Sequence, residues 1–287
     1  MIEKKFSSFD FLVVLLCVLV SVFFLIPLLF VISNAFSDPL LVYRGKVGLL
    51  PIGITFNNIL EVFKDDSLIL GFKNTIFYTV VGTTLQVVLQ FSVAYPLSRK
   101  DLKFKTFWNF FFSIPMFVSG GMIPTYLVVK GLGLLNTSWA IIIPGCVGLY
   151  NVIIIRTYLS TAIPYSLTEA AMLDGCGPIK TFFYVVFPLC KPIFCVMILY
   201  GVVGYWNAYF NSIIYTSDDK YWPLQRVLSR MLVKTQSSGS IGSAEYLMRA
   251  EGMKYAIILV SSLPLLVMYP FFQKYFEKGM MVGSIKG

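Results

Sequence analysis

The sequence contains no histidine at all. That removes the commonest general base and the commonest metal ligand, and it weakens most enzyme readings together. Charge is scarce as well: only 13% of the 287 residues are Asp, Glu, Lys or Arg, against roughly 25% in a soluble domain. The five cysteines, Cys17, Cys146, Cys176, Cys190 and Cys195, form no CxxC pair and mostly lie in or beside apolar runs. They read as small packing residues, not as a disulfide or metal framework. No GxxxxGK[ST] phosphate loop occurs, so no nucleotide site of that kind is encoded here.

What the chain has in excess is apolar surface, with 57% hydrophobic residues. A span needs about 20 mostly apolar residues. Six segments qualify without one Asp, Glu, Lys or Arg: residues 11–32, 74–97, 106–129, 138–155, 192–215 and 255–272. The expected fold is therefore an all-α integral membrane protein with six transmembrane helices in one domain. The first run follows Lys4 and Lys5 as a signal peptide would, but it continues past signal-peptide length without a small-x-small cleavage site. It is read as an uncleaved helix. The net charge of +9 does not point to nucleic acid, because the basic residues sit in short connections and flanks, where they set membrane orientation.

Arg99, Lys100, Lys103 and Lys105 crowd the turn after the second segment, against a single Asp101. The turn after the third holds only Lys130. Positive-inside reasoning places the first of these turns, both termini and the fourth-to-fifth connection in the cytoplasm. Two long connections, residues 33–73 and 216–254, then lie outside. Residues 236–243, rich in Ser and Gly, read as a mobile loop.

The connection at residues 163–192, IPYSLTEAAMLDGCGPIKTFFYVVFPLCKP, carries the most information. Ser166 and Glu169 have capping-box spacing, which predicts a short helix over residues 167–174. Gly175 is placed to end it in the left-handed conformation. Pro178 is suited to a first helical turn, where its missing N–H costs nothing. Pro188 and Pro192 bracket the start of the fifth segment. A helix this short is marginal alone and needs a packing partner; Ala170 and Ala171 offer a small surface to one.

Glu169-Ala170-Ala171, then Asp174-Gly175 and the later Pro188, resemble the EAA loop of permeases of type I ATP-binding-cassette importers. Residues 163–188 would be that loop, with Val185-Val186-Phe187-Pro188 where the family pattern has Ile-x-Leu-Pro. In that family the loop is the coupling helix that docks into a cleft of a cytoplasmic ATPase. Ser119-Gly120-Gly121-Met122-Ile123-Pro124-Thr125-Tyr126 and Gly133-Leu134-Leu135-Asn136-Thr137 are similar to the third and fourth spans of permeases for complex saccharides. Tyr205-Trp206-Asn207-Ala208-Tyr209-Phe210, Tyr221-Trp222-Pro223-Leu224-Gln225 and the tail at residues 278–287 resemble the carbohydrate branch, of maltose-permease type.

The resemblance implies a bacterial plasma-membrane, multi-pass subunit of a sugar importer, and an oligosaccharide as cargo. It implies a second homologous permease, two ATPase subunits holding ATP and Mg, and an extracellular or periplasmic solute-binding protein. No cofactor and no catalytic residue would sit on this chain. For the sugar pathway, Trp206, Tyr209 and Phe210 would share one side of a continuous fifth helix, and Tyr200, Gly204, Asn207 and Asn211 an adjacent one. Buried Asn in lipid either lines a pathway or bonds across helices. Gln86 and Gln90, one turn apart, allow the same two readings. Pro115, Pro124 and Pro144 are expected to kink or end the third and fourth spans. Uncharged spans suit a neutral solute moved by an external energy source and argue against ion coupling, while leaving room for charged sugars whose counter-charges lie on the partner subunit. Two alternatives are a non-sugar cargo for the same kind of permease, and a membrane-embedded enzyme, which would want an intramembrane Asp or His.

Overall fold

Lipid offers no hydrogen bonds, so a spanning backbone must satisfy itself within the segment. The computed structural model describes residues 8–237 and 244–284, and among the described residues every regular element is helical. In chain order these are α1 (Ser8–Ala35), α2 (Pro39–Tyr43), α3 (Asn57–Val62), α4 (Asp66–Ser98), α5 (Lys105–Phe117) and α6 (Met122–Gly131). Next come α7 (Trp139–Ile142), which runs into a 3-10 turn at Ile143–Gly145, α8 (Leu149–Ala162), α9 (Tyr165–Leu173) and α10 (Pro178–Thr181). A π turn at Phe182–Val186 leads to α11 (Phe187–Leu189) and α12 (Lys191–Trp206), followed by α13 (Phe210–Tyr215), α14 (Leu224–Ser237) and α15 (Ala244–Ser284).

Three of these helices are long and apolar enough to cross a membrane unaided: α1, α4 and the stretch Met248–Phe271 of α15. Three further helix pairs are apolar enough when taken together but are bent, as in a broken span or a re-entrant loop. Helices α5 and α6 meet at 112°, Trp139–Gly145 and α8 at 47°, and Pro178–Leu189 and α12 at 86°. Six crossings result if each bent pair counts as one; bends are expected in the third and fourth, whereas the fifth, expected as one continuous helix over residues 192–215, ends instead at Trp206. The breaks do not fall where proline alone would put them. Pro115 sits inside α5 and Pro124 in the first turn of α6, while the chain turns at Gly120-Gly121, with Gly121 at φ +83°. Pro144 does lie in the turn before its break.

The chain forms two compact units. One draws on Met1–Ile69 and Leu228–Pro264. In it α1 is exposed until Ser33, Asn34 and Ala35, which are buried. Asn58 donates to the carbonyls of Ala35 (3.2 Å) and Ser37 (2.8 Å), fixing the chain that leaves α1. Phe30 meets Tyr255 edge to face, with ring centroids 5.8 Å apart.

The other unit comprises Leu70–Val227 and Leu265–Gly287. Its core is built by α4 (Val87, Phe91, Ala94, Leu97), α8 (Val152, Ile155, Leu159) and α12 (Ile193, Met197). Gly82 and Gly201 let α4 and α12 approach: a Cβ at Gly82 would stand 2.7 Å from the Tyr205 ring, and one at Gly201 2.8 Å from Thr83. Packing through small residues is the usual means of helix association where lipid removes the hydrophobic drive. The connection after α13 is tied to α4: Asn74 donates to the carbonyls of Lys220 and Trp222, Tyr78 to that of Tyr221, and the Leu224 amide donates to Thr75 Oγ1. Of the expected loop at residues 236–243, positions 236 and 237 belong to α14 and 238–243 lie outside the described residues. Lys4, Lys5 and the tail at 285–287 also lie outside them.

Candidate functional site

The short helix between α8 and α12 forms, but two residues earlier than the capping-box spacing predicted. Pro164 is the N-cap of α9, at φ −59° and ψ 132°, and no side chain caps the helix. Ser166 lies within the first turn, so the Ser166–Glu169 capping box is not made. The reason is local: a proline locks its own φ and lends itself to starting a helix, and the Leu167 amide donates to the Pro164 carbonyl (3.2 Å). At the other end the expectation is met. Gly175 has φ +80°, its amide donates to the Met172 carbonyl (3.0 Å), and that of Cys176 to Ala171 (2.9 Å). These are the paired bonds of a Schellman end.

The two alanines do not form one small face. Ala171 and Thr168 are buried against the protein, whereas Glu169, Ala170, Leu173 and Asp174 are exposed, Leu173 to 88%. Only Ala170 is offered outward, because adjacent helical positions point about 100° apart. Beyond Gly177, Pro178 opens α10 as expected. Pro188 is exposed and comes directly after the π turn and Phe187. It has no N–H to give the Tyr184 carbonyl, and a widened turn accommodates that gap.

The turn at residues 99–104 holds α9 from beside it, which sequence reasoning missed. Lys105 Nζ donates to the carbonyls of Ser98 and Arg99, closing the end of α4. Arg99 pairs with Asp101 (2.6 Å) and reaches the Tyr95 hydroxyl (3.2 Å) and Met172 Sδ (3.8 Å). Tyr95 in turn donates to the Pro178 carbonyl (3.2 Å), and Lys100 Nζ sits 5.2 Å from the centre of the Tyr165 ring. Arg99 holds the Asp101 carboxyl below the ordinary carboxylate range, and Asp101 pushes the guanidinium still higher. Residues that looked purely topogenic therefore also position α9. The only signal for this was their density.

The residues expected along a sugar pathway divide between different surfaces. α12 ends at Trp206, Asn207 is its C-cap, and Tyr209 has φ −131° before α13 begins. The helix is interrupted there, and Trp206 is buried whereas Tyr209 and Phe210 beyond the break are exposed, so they do not form one continuous helical face. Trp206 is buried and lines an open groove of about 1250 Å³, whose walls include Val87, Phe91, Phe182 and Phe194. Thr79 and Thr83 also line it, with hydroxyls that lack partners. Tyr200, Gly204 and Asn207 are exposed together on another side of α12, Tyr209 and Phe210 are exposed beyond the break, and Asn211 is half-buried. Asn207 Nδ2 donates to the Val203 carbonyl (2.9 Å), and its Oδ1 accepts from Gln225 (3.5 Å). Gln86 and Gln90 do share one face of α4, both inside the protein; neither amide atom of Gln90 has a partner.

A polar cage near α13 was also not foreseen. Arg226 donates to the carbonyl and hydroxyl oxygens of Ser212 and Thr216 and lies 4.0 Å from the Trp222 ring centre. It closes the C-terminal end of α13, where a cation is favoured.

Residues 86–282 match the family described as binding-protein-dependent transport system inner membrane component. Among curated proteins, Protein LplC of Bacillus subtilis (strain 168) is 36% identical over 92% of this chain and 90% of its own. The polygalacturonan/rhamnogalacturonan transport system permease protein YtcP of the same organism is 35% identical over 99% and 100%. Among solved structures, a chain of a bacterial ABC transporter involved in importing the acidic polysaccharide alginate superposes with a TM-score of 0.86. It is 28% identical, with 96% of this chain and 99% of that one covered. On these matches the chain belongs to the binding-protein-dependent transport inner membrane components: it is an all-α permease subunit of an ABC importer, with no catalysis of its own.

Proposed function

We propose that this chain carries an oligosaccharide into the cell as one half of a paired permease, by alternating access driven from separate ATPase subunits. The observation that carries the reading is α9, a nine-residue helix whose Glu169, Ala170 and Leu173 face outward while Thr168 and Ala171 hold it to the protein. A helix so short is marginal on its own and needs a surface to pack against. In this reading α9 and the segment through Pro188 dock on a cytoplasmic ATPase that binds ATP and Mg. Both termini and the turn at residues 99–105 are cytoplasmic, and a solute-binding protein meets the opposite face. Approach of two ATPases would bring two such helices together and rock the paired permeases about a central site. The cargo class is supported by the relatives' names, which specify polysaccharides, and by the Tyr, Trp and Asn content of residues 205–211. Asn207, Tyr209, Phe210 and Asn211 are its proposed pathway residues, together with Gln86 and Gln90; Trp206 faces the apolar groove.

Co-purification in mild detergent with the products of neighbouring genes tests the reading. Recovery of an ATPase and a second permease, lost with Glu169→Lys or Gly175→Val, supports it. A chain that purifies alone and whose variants import normally would sink the assignment of α9.

A further inference from the structure

The break between Ile143–Gly145 and α8 falls inside the apolar stretch of the fourth span. Pro144, Gly145 and Val147 are exposed there, and Gly148 and Asn151 are half-buried. Irregular backbone at membrane depth needs protein or a water-filled cavity beside it. α8 begins at this point with Gly148 as N-cap and no side chain bonded to its first amides, which leaves a positive helix end inside the membrane. Two side-chain amides converge on the same spot. From the place a Cβ would occupy on Gly148, Asn151 Nδ2 lies 3.4 Å away and Gln90 Nε2 3.5 Å. Gln90 is 0% exposed, and both its amide atoms lack partners. An amide left unpaired in an apolar surrounding is costly, and a ligand that accepts its hydrogen bond relieves that cost. Residues 138–162 contain no Asp or Glu, and their one cation, Arg156, is bonded to Asn109 at 2.7 Å. Donors, a helix N-terminus and no competing carboxylate are the makings of an anion site, and broken membrane helices bind anionic substrate groups in this way.

We propose that the N-terminal end of α8, with Gly148, Asn151 and Gln90, receives the carboxylate of an acidic sugar residue, so that the cargo is a uronate-containing oligosaccharide. The inference rests on the saccharide-import reading and narrows it. Gly148 has no side chain, so nothing of its own stands between the helix end and the buried Gln90 amide. A methyl group there would make ordinary van der Waals contacts with both amides, and φ is −74°. Gly148→Ala therefore keeps the fold and fills the gap.

The test uses the complete importer, reconstituted in liposomes with its solute-binding protein. ATP-dependent uptake is measured for trigalacturonate, its trimethyl ester, and a panel of neutral di- to tetrasaccharides. The acid should enter at least about tenfold faster than the ester, a margin a helix terminus and two amides can supply. Gly148→Ala and Gln90→Leu should each bring that ratio towards one. A parent importer that carries the ester or neutral sugars as well as the acid overturns the inference and leaves the import reading standing. An unchanged acid-to-ester ratio in Gly148→Ala overturns the site. Uptake of none of these saccharides overturns both.

Discussion

Tyr205 lies across Gly82 so closely that a Cβ on the glycine would come within 2.7 Å of the phenol ring, and the same tyrosine donates to the Ile142 carbonyl at 2.9 Å. One side chain thus sets the spacing of α4 and α12 and ties α12 to the end of α7. Gly82→Ala forces the ring to move and should destabilise the protein by about 1–3 kcal/mol, as overpacking does. Thermal melting in detergent checks this. Gly145→Ala, where nothing lies within 4 Å, should melt like the parent.

Gly175 separates backbone conformation from side-chain bulk. Its φ is +80°, yet nothing lies within 4 Å of an added Cβ. Gly175→Asn should retain ATPase association, because Asn tolerates the left-handed region. Gly175→Val should lose about 1–2 kcal/mol at the helix end and release the ATPase. Pull-down with the purified ATPase distinguishes the two; equal retention by both variants would mean the turn plays no part in docking.

Arg226 holds the end of α13 through the oxygens of Ser212 and Thr216. Arg226→Met keeps the bulk and removes the donors. A hydrogen bond to a charged group contributes about 1.5–3 kcal/mol, so a loss of at least that size is expected in the melting transition. Arg226→Lys should recover part of it.

The Arg99–Asp101 pair makes a signed prediction for pH. Its carboxyl is held below its ordinary value by Arg99. The stabilisation is therefore fully present above the unfolded value of about 3.9 and is lost as pH falls through the lowered folded value. Between pH 5 and 8 the pair should contribute a constant amount, as measured by melting temperature. Asp101→Asn should flatten the acid limb of that curve and leave its neutral region parallel to the parent.

Much of the architecture was legible in residues 11–32, 74–97 and 255–272, because a long uncharged apolar run in lipid has few alternatives to a helix. The end of α9 was legible too, since Gly175 needs no more than its own backbone freedom. Its start was not: spacing favoured Ser166, but Pro164 took the cap. Pro115, Pro124 and Pro144 signalled bends in the third and fourth spans, and Pro144 lies at one, but the turn at Gly121 and the break at Asn207 carried no such signal. Hydropathy counts composition and is blind to direction, so a helix and a bent pair of equal apolar content look alike. The grouping of Trp206 with Tyr209 and Phe210 assumed a continuous helix and failed with it.

By itself, then, the sequence determined the solvent of this protein, its helical class and the presence of a short helix ended by Gly175. These come from composition and from local backbone chemistry. Tertiary structure decided which alanine of Glu169-Ala170-Ala171 faces outward, that Arg99 and Lys100 brace α9, and that Gln90 lies unpaired beside Gly148 at a mid-span break. Those are relations between residues distant in the chain. Only packing, through close crossings such as Gly82 with Tyr205, brings them together.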